Sequence, residues 1–512
     1  MSRLTACSFT CYSKRFSYSI ANYDINLTLN PRWRKIQADV SVTLTADQRT
    51  RKLFLLLADS CSLARINYLG LALPFKISYA CPGLNLISAV LPIQAEAGEK
   101  IIVTLLYSWE ASSQRIKSLE LSPDDYWYPF SPLPDKYTCT LNVITDESMR
   151  VLGPGEFRGV INAGTRVSNQ WVSNLPFRGI HLAAGDLLKS SRPSQPPLEV
   201  SYPRRFLNQA RSIANYCEEL LVFLGEKLGP APFPSLAVVI TDNPEPRISS
   251  SFYITSISAG SLEQLKEESP GKDRYSRQYN LLAENLAHHW LKDNVAVSHP
   301  RDSLYLEGLA KYIGWQAVEA KYGKTIQENL MLAAREAILA APRIPLRRCV
   351  NIAGGSLPPW AADKAGWLMH ICHCLTGEAF FSLIQENFAL CTGTGPAEFF
   401  LNLGKTTDKD FSQFIKAWCK SRKQLRIEIT EAVNSQNEEG KWQLAFKLIN
   451  SGRLKWPYPV EIALDLADGA SQRHRLNVQK EPHLIATDSK IETLTVDPDM
   501  TLLNWADNIY KF

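Results

Sequence analysis

The chain has 512 residues, 45% of them hydrophobic and 21% charged, with a formal net charge of +5. That balance excludes a disordered or fibrous chain, and at ~100 to 200 residues per domain it predicts about three domains, each able to bury a core. The charge is mild and includes no Lys/Arg block of the kind that tracks phosphates, which argues against a nucleic-acid partner.

The first seventeen residues mix Arg and Lys with Ser, Thr and Tyr and lack the apolar stretch of a signal peptide. No run of eighteen apolar residues occurs, so a membrane-spanning helix is not expected and the chain reads as cytoplasmic. Its eleven Cys show no zinc-type spacing and read as reduced thiols.

From Tyr18 to Val200 the pattern is of successive strands. Ile101 to Tyr107 and Cys139 to Ile144 are short, rich in β-branched residues and bounded by polar turns. The stretch Ser190-Ser-Arg-Pro-Ser-Gln-Pro-Pro197 is polar and Pro-rich and is expected to be a linker.

After it the period changes. Phe206, Ala210, Ile213, Ala214, Cys217, Leu220 and Leu221 recur at three and four residues, as one face of a helix does. Further helices are expected over Asn280–Lys292, Asp302–Tyr322, Thr325–Ala340, Trp360–Leu375 and Asp410–Ser421. Val460 to Leu466 alternates again, so the chain ends in a half-buried sheet.

Chemistry concentrates in Glu284-Asn-Leu-Ala-His288-His-Trp290 and Leu306-Glu-Gly-Leu-Ala-Lys-Tyr312. Positions 284 and 288 lie one turn apart on one helical face, as the two histidines of H-E-x-x-H do when they share a zinc ion. Eighteen residues separate His288 from Glu307, room for a loop and a second helix that brings a third donor across. Glu284, His288 and Glu307 are therefore candidate metal ligands for a divalent ion such as zinc. The alternative is a hydrogen-bonded cluster with no metal.

These two segments resemble the H-E-L-A-H-x-W and W-L-N-E-G-F-A motifs of the aminopeptidase N family of gluzincin metallopeptidases. Leu286, Ala287, His288, Trp290, Glu307, Gly308, Ala310 and Tyr312 match in register. Trp127 to Thr138 is similar to the family's late first-domain segment, and the likeness runs over roughly residues 18 to 512. It implies an α+β multidomain fold: an N-terminal β-sandwich (residues 15 to 200), a thermolysin-like, mainly helical domain (201 to 424) and a small C-terminal β-sandwich (425 to 512). The family's large final helical domain would be absent.

The same resemblance exposes departures. Glu284 stands where the family has its first zinc-binding His, and Asn285 where it has the general-base Glu. An amide cannot accept a proton near neutral pH. The family's Gly-Ala-Met-Glu-Asn stretch should fall at Ile248 to Ile257, which holds no acid. Ala362 takes the place of the Tyr that stabilises the oxyanion. The expectation is a pseudopeptidase with a cleft for a peptide or protein, its metal absent or weakly held. The rival is a weak or altered metal-dependent hydrolase using Glu284, His288 and Glu307. On the sequence alone, Glu284→His is the change expected to raise zinc occupancy.

Two other groupings carry less. His370, His373 and Cys374 share a helical face and could be drawn as a metal site, but the residues around them read as a packed apolar helix. Ser249 to Ser251 could supply a nucleophile, but no partner base is evident. His289 faces away from the 284/288 stripe and reads as structural.

Overall fold

A computed structural model describes residues 16–30, 35–110, 118–133, 135–268, 273–294, 302–349, 357–389, 396–408, 411, 418–437, 440–452, 454–506 and 508–512. The chain folds as N-terminal sheets, a central helical region and small C-terminal sheets. The expected α+β multidomain class holds.

The first part packs an eight-stranded sheet, whose centre is formed by Tyr137–Thr145, Tyr18–Asn30, Lys35–Ala46 and Lys100–Glu110, against a three-stranded sheet of Thr50–Ala58, Phe75–Cys81 and Leu84–Ala95. In Tyr137–Thr145 buried and half-buried residues alternate without a break, the signature of a strand with one face in the core. These strands enclose one hydrophobic core of their own.

The second part holds helices α1 (Leu207–Leu228), α2 (Ala259–Glu268), α3 (Asp273–Asn294), α4 (Ser303–Tyr322), α5 (Lys324–Ala340), α6 (Pro359–Thr376), α7 (Ala379–Ala389) and α8 (Pro396–Thr407). α3 starts seven residues before its apolar periodicity does, because its opening Asp-Arg-Tyr-Ser-Arg-Gln-Tyr is polar and carries little pattern. The helix expected over Asp410–Ser421 lies mostly outside the described residues.

The segment expected to be a linker is instead structured. Leu188–Arg192 is an edge strand and Leu198–Tyr202 its neighbour, in a five-stranded sheet completed by Leu236–Thr241, Ile254–Ser258 and Ile248–Ser251. The prolines occupy the turn between two strands, where no ladder hydrogen bond is lost. The mainly helical unit thus contains a sheet that helix periodicity could not reveal.

The third part pairs a three-stranded sheet with a four-stranded one that includes Val460–Leu466. Its core is continuous with that of the helices: Leu425, Ile427, Leu448 and Leu464 cluster with Trp290, Trp315 and Trp367. The eight described cysteines are all free thiols, and among the described residues no single helix is long and apolar enough to cross a membrane.

Candidate functional site

The tryptophan of the first motif fixes α3. Trp290 is buried, packs edge-on against Phe233 at 5.0 Å and donates its indole N–H to the carbonyl of Gly229, 2.9 Å away at the end of α1. This holds the 284/288 face of α3 toward α4. Two glycines then let α4 and α6 close up. A Cβ at Gly308 would stand 2.8 Å from the backbone of Ala365, and one at Gly366 would stand 2.7 Å from Cγ of Lys311.

The structure brings His288 and Glu307 together, with Nε2 3.5 Å from the carboxylate. His288 is buried, and among the described residues its Nδ1 has no hydrogen-bond partner. Glu284, on the same face of α3, is engaged elsewhere. Its carboxylate lies 2.9 Å from Nζ of Lys311, and that ammonium is also 3.3 Å from Asp363 on α6. All three side chains are about 15% exposed or less, so the pairs are only weakly screened by solvent.

Burial pulls the Lys311 ammonium toward deprotonation, but the carboxylates of Glu284 and Asp363 outweigh it and hold the pKa above that of an ordinary lysine. Burial pushes the carboxyl of Asp363 up, against the pull of Lys311. An ammonium at this point repels a divalent cation and consumes the carboxylate a metal would need. As arranged, the residues do not fit a zinc ion, and among the described residues no three His, Cys, Asp or Glu side chains converge as a metal site requires.

Asn285 folds back on its own helix, its Nδ2 donating to the carbonyl of Leu281 at 2.9 Å. Ala362 lies in the first turn of α6 within a small apolar cluster that includes Leu304, Leu346 and Ala361. Its methyl offers nothing polar to a reacting group.

The stretch that lacks an acid is the hairpin of Ile248–Ser251 and Ile254–Ser258, and its Ser251 and Ser256, with the flanking Arg247, bond the first domain. Ser251 donates to the carbonyls of Gly179 and Arg178 at 2.6 and 3.0 Å. Ser256 bonds the buried Glu120, and Arg247 pairs with Asp125 at 2.5 Å and bonds Ser122. Glu120 also has Arg247 and His181 at 3.9 and 3.8 Å. Burial pushes its carboxyl up, opposed by the Ser256 hydroxyl and by Arg247.

The lesser groupings resolve as packing. Ser250 shares a hydrogen bond with Thr255 and Thr255 another with Nε2 of His289, both 2.8 Å, in a fully buried row. His289, expected to face away from the 284/288 stripe, bonds the hairpin strand Ile254–Ser258. His370 donates Nε2–H to the carbonyl of Met500 at 3.0 Å, and His373 bonds the hydroxyl of Tyr312. Cys374 lies 3.5 Å from His370. Helix α6 thus uses its histidines to hold α4 and the third domain.

Sequence reasoning missed Lys311, Asp363, Arg247 and Glu120. Only Lys311 left a signal, its i+4 spacing from Glu307 on one helical face. Asp363 is adjacent to Ala362, but nothing in the sequence pairs it with α4.

No family model and no curated relative matches the sequence. Solved structures do. The chain is similar to aminopeptidase A of Legionella pneumophila in complex with aspartic acid, at a TM-score of 0.78 and 14% identity over 97% of this chain and 60% of that one. It is also similar to the M1 zinc metallopeptidase of Deinococcus radiodurans, at a TM-score of 0.60 and 17% identity over 79% of this chain and 95% of that one. The chain spans 60% of the length of the Legionella enzyme. At these identities the likeness is one of architecture: the chain has the fold of the M1 zinc aminopeptidases.

Proposed function

We propose that this chain is a catalytically silent relative of the M1 aminopeptidases, retaining the fold as a scaffold that holds a peptide or protein segment. The observation that carries this reading is Lys311, an internal ammonium bound to Glu284 and Asp363 beside the His288–Glu307 pair. Asn285 and Ala362 support it. Loss of a general base costs ~10²- to 10⁴-fold in rate, and loss of one oxyanion donor ~10²- to 10³-fold.

The purified full chain, incubated with unblocked peptides and aminoacyl reporter substrates, should release no amino acid in a chelator-sensitive manner. Turnover at ~1 per second or above that a chelator abolishes would defeat the proposal. The retained approach of His288 to Glu307 at 3.5 Å favours one second reading, a weak metal-dependent hydrolase. Stoichiometric zinc, manganese or iron in the purified protein would select it.

A further inference from the structure

The eight-stranded sheet of the first domain ends on Glu156–Ala163, which among the described residues pairs only with Arg166–Phe177. The last strand of a sheet has backbone N–H and C=O groups that point away from its one neighbour, and what fits them is another extended strand. Folded chains blunt such edges by shortness or by charge. The opposite edge of this sheet is Leu71–Ala72, two residues long, and the edge strands Leu188–Arg192 and Ser471–Leu476 carry Lys189, Arg192, Arg473 and Arg475.

The second half of Glu156–Ala163 has neither protection. A bulge at Arg158 breaks the register between Phe157 and Gly159, and from Gly159 to Ala163 the ladder runs regularly and holds no charged side chain. Val160 and Asn162 lie opposite the buried Asn169 and Val167 and share their face of the sheet, while Gly159, Ile161 and Ala163 take the other face. Both faces are apolar and open, with Val160 55% and Ile161 59% exposed. Phe157, beside Trp171 on the core face and 45% exposed, extends the apolar surface.

A strand that pairs antiparallel with its own copy does so about a two-fold axis, and residues opposite each other then share a face. The axis that brings all of Gly159–Ala163 into register passes through Ile161. Ile161 then meets Ile161 of the second copy, Val160 meets Asn162, and Gly159 meets Ala163. On the face of Ile161 the order is small, large, small. Nothing lies within 4 Å of where a Cβ would stand on Gly159, so the two isoleucines have room to pack side by side.

We propose that this edge is an interface with a second copy of the chain, in which the two Gly159–Ala163 segments pair antiparallel and join the two eight-stranded sheets into one. The contact is small, so the dimer is a weak one.

The test is sedimentation equilibrium of the full chain from ~2 to ~500 μM, where the parent should show a monomer–dimer equilibrium with a Kd of about 100 μM or tighter. Ile161→Lys and Ile161→Glu each set like charges face to face on the axis and should weaken the dimer at least about tenfold. Ile161 is mostly exposed, so thermal unfolding of both variants should match that of the parent. An equimolar mixture of the two variants sets Lys against Glu at that position and should restore dimers to within about threefold of the parent. A parent that stays monomeric at ~500 μM would overturn the proposal, whether the edge is then free or covered by a segment of its own chain. Variants that dimerise like the parent would place the contact elsewhere, and a mixture no better than either variant alone would exclude the axis at Ile161. The measurement on the parent needs no substitution, so it decides the matter even where a variant fails to fold.

Discussion

Lys311 lies one helical turn beyond Glu307 on α4, and its ammonium reaches across to Glu284 on α3 at 2.9 Å. Among the described residues, the half-buried carboxylates of Glu284 and Asp363 share this one cation. Removing it by Lys311→Met leaves two uncompensated charges in a poorly solvated site, which should destabilise the fold by about 3 kcal/mol. The triple substitution Lys311→Met, Glu284→Gln, Asp363→Asn should recover most of that loss, because a charge-free cluster has little to desolvate. Denaturant unfolding of the two variants gives the comparison. Equal losses in both would show that Lys311 stabilises through packing and not through charge.

The same ion pair revises what restores a metal site. Glu284→His alone places an imidazole beside an ammonium that is still fixed by Asp363, so zinc content should stay near background. Glu284→His combined with Lys311→Ala removes the repelling charge and leaves two imidazoles and Glu307, the donor set of a His, His, Glu site. Elemental analysis after dialysis should find zinc only in the double variant. Stoichiometric zinc in the single variant would mean that Lys311 is no barrier.

How much of this was legible in the sequence depended on whether the signal was periodic. The i, i+4 relation of 284 and 288, and the alternation in strands such as Tyr137–Thr145, are local patterns that a folded chain must obey. The hairpin at Ile248–Ser258 was not legible as sheet, because its serines are buried by hydrogen bonds to Glu120, Arg178 and Gly179 and not by apolar character. Nor could spacing tell that the Lys311 side chain turns inward. A lysine at a helix surface ordinarily extends into water, and only the close approach of α4 and α6 at Gly308 and Gly366 keeps this one in.

The joint between the helices and the third domain should respond to acid. Burial pulls the pKa of His370 down to about 4, against the hydrogen bond to Met500 that favours its charged form, with His373 and Lys324 adding positive charge nearby. A histidine with a depressed folded pKa contributes stability above its unfolded value, near 6.5, and loses it as the pH falls toward 4. The loss should approach about 3 kcal/mol at pH 4. His370→Gln keeps an N–H donor for the Met500 carbonyl but cannot titrate. The unfolding free energy of the parent should therefore fall faster than that of the variant between pH 6.5 and 4.5, and parallel curves would rule His370 out as the responsive group.

Phe252 and Tyr253 form the two-residue turn between Ile248–Ser251 and Ile254–Ser258, with φ of 34° and 70°. A hairpin turn with both central residues left-handed favours Asn-Gly, and an aromatic side chain at each position costs about 1 to 2 kcal/mol. The cost is offset by what the rings touch. Phe252 stacks on Phe177 of the first domain at 3.9 Å and joins that domain's core, and Tyr253 stacks on Phe252 at 4.2 Å and lies 5.3 Å from Phe233. Phe252→Ala keeps the strained backbone and gives up the burial, so it should cost about 3 kcal/mol. Because the lost contact joins the first domain to the second, the effect should appear as faster hydrogen exchange in the neighbouring strand Leu182–Gly185 as well as a lower unfolding free energy. Tyr253→Gly removes strain and stacking of similar size and should be nearly neutral. If Phe252→Ala were as mild as Tyr253→Gly, the turn would be held by its serine hydrogen bonds and not by the aromatic stack.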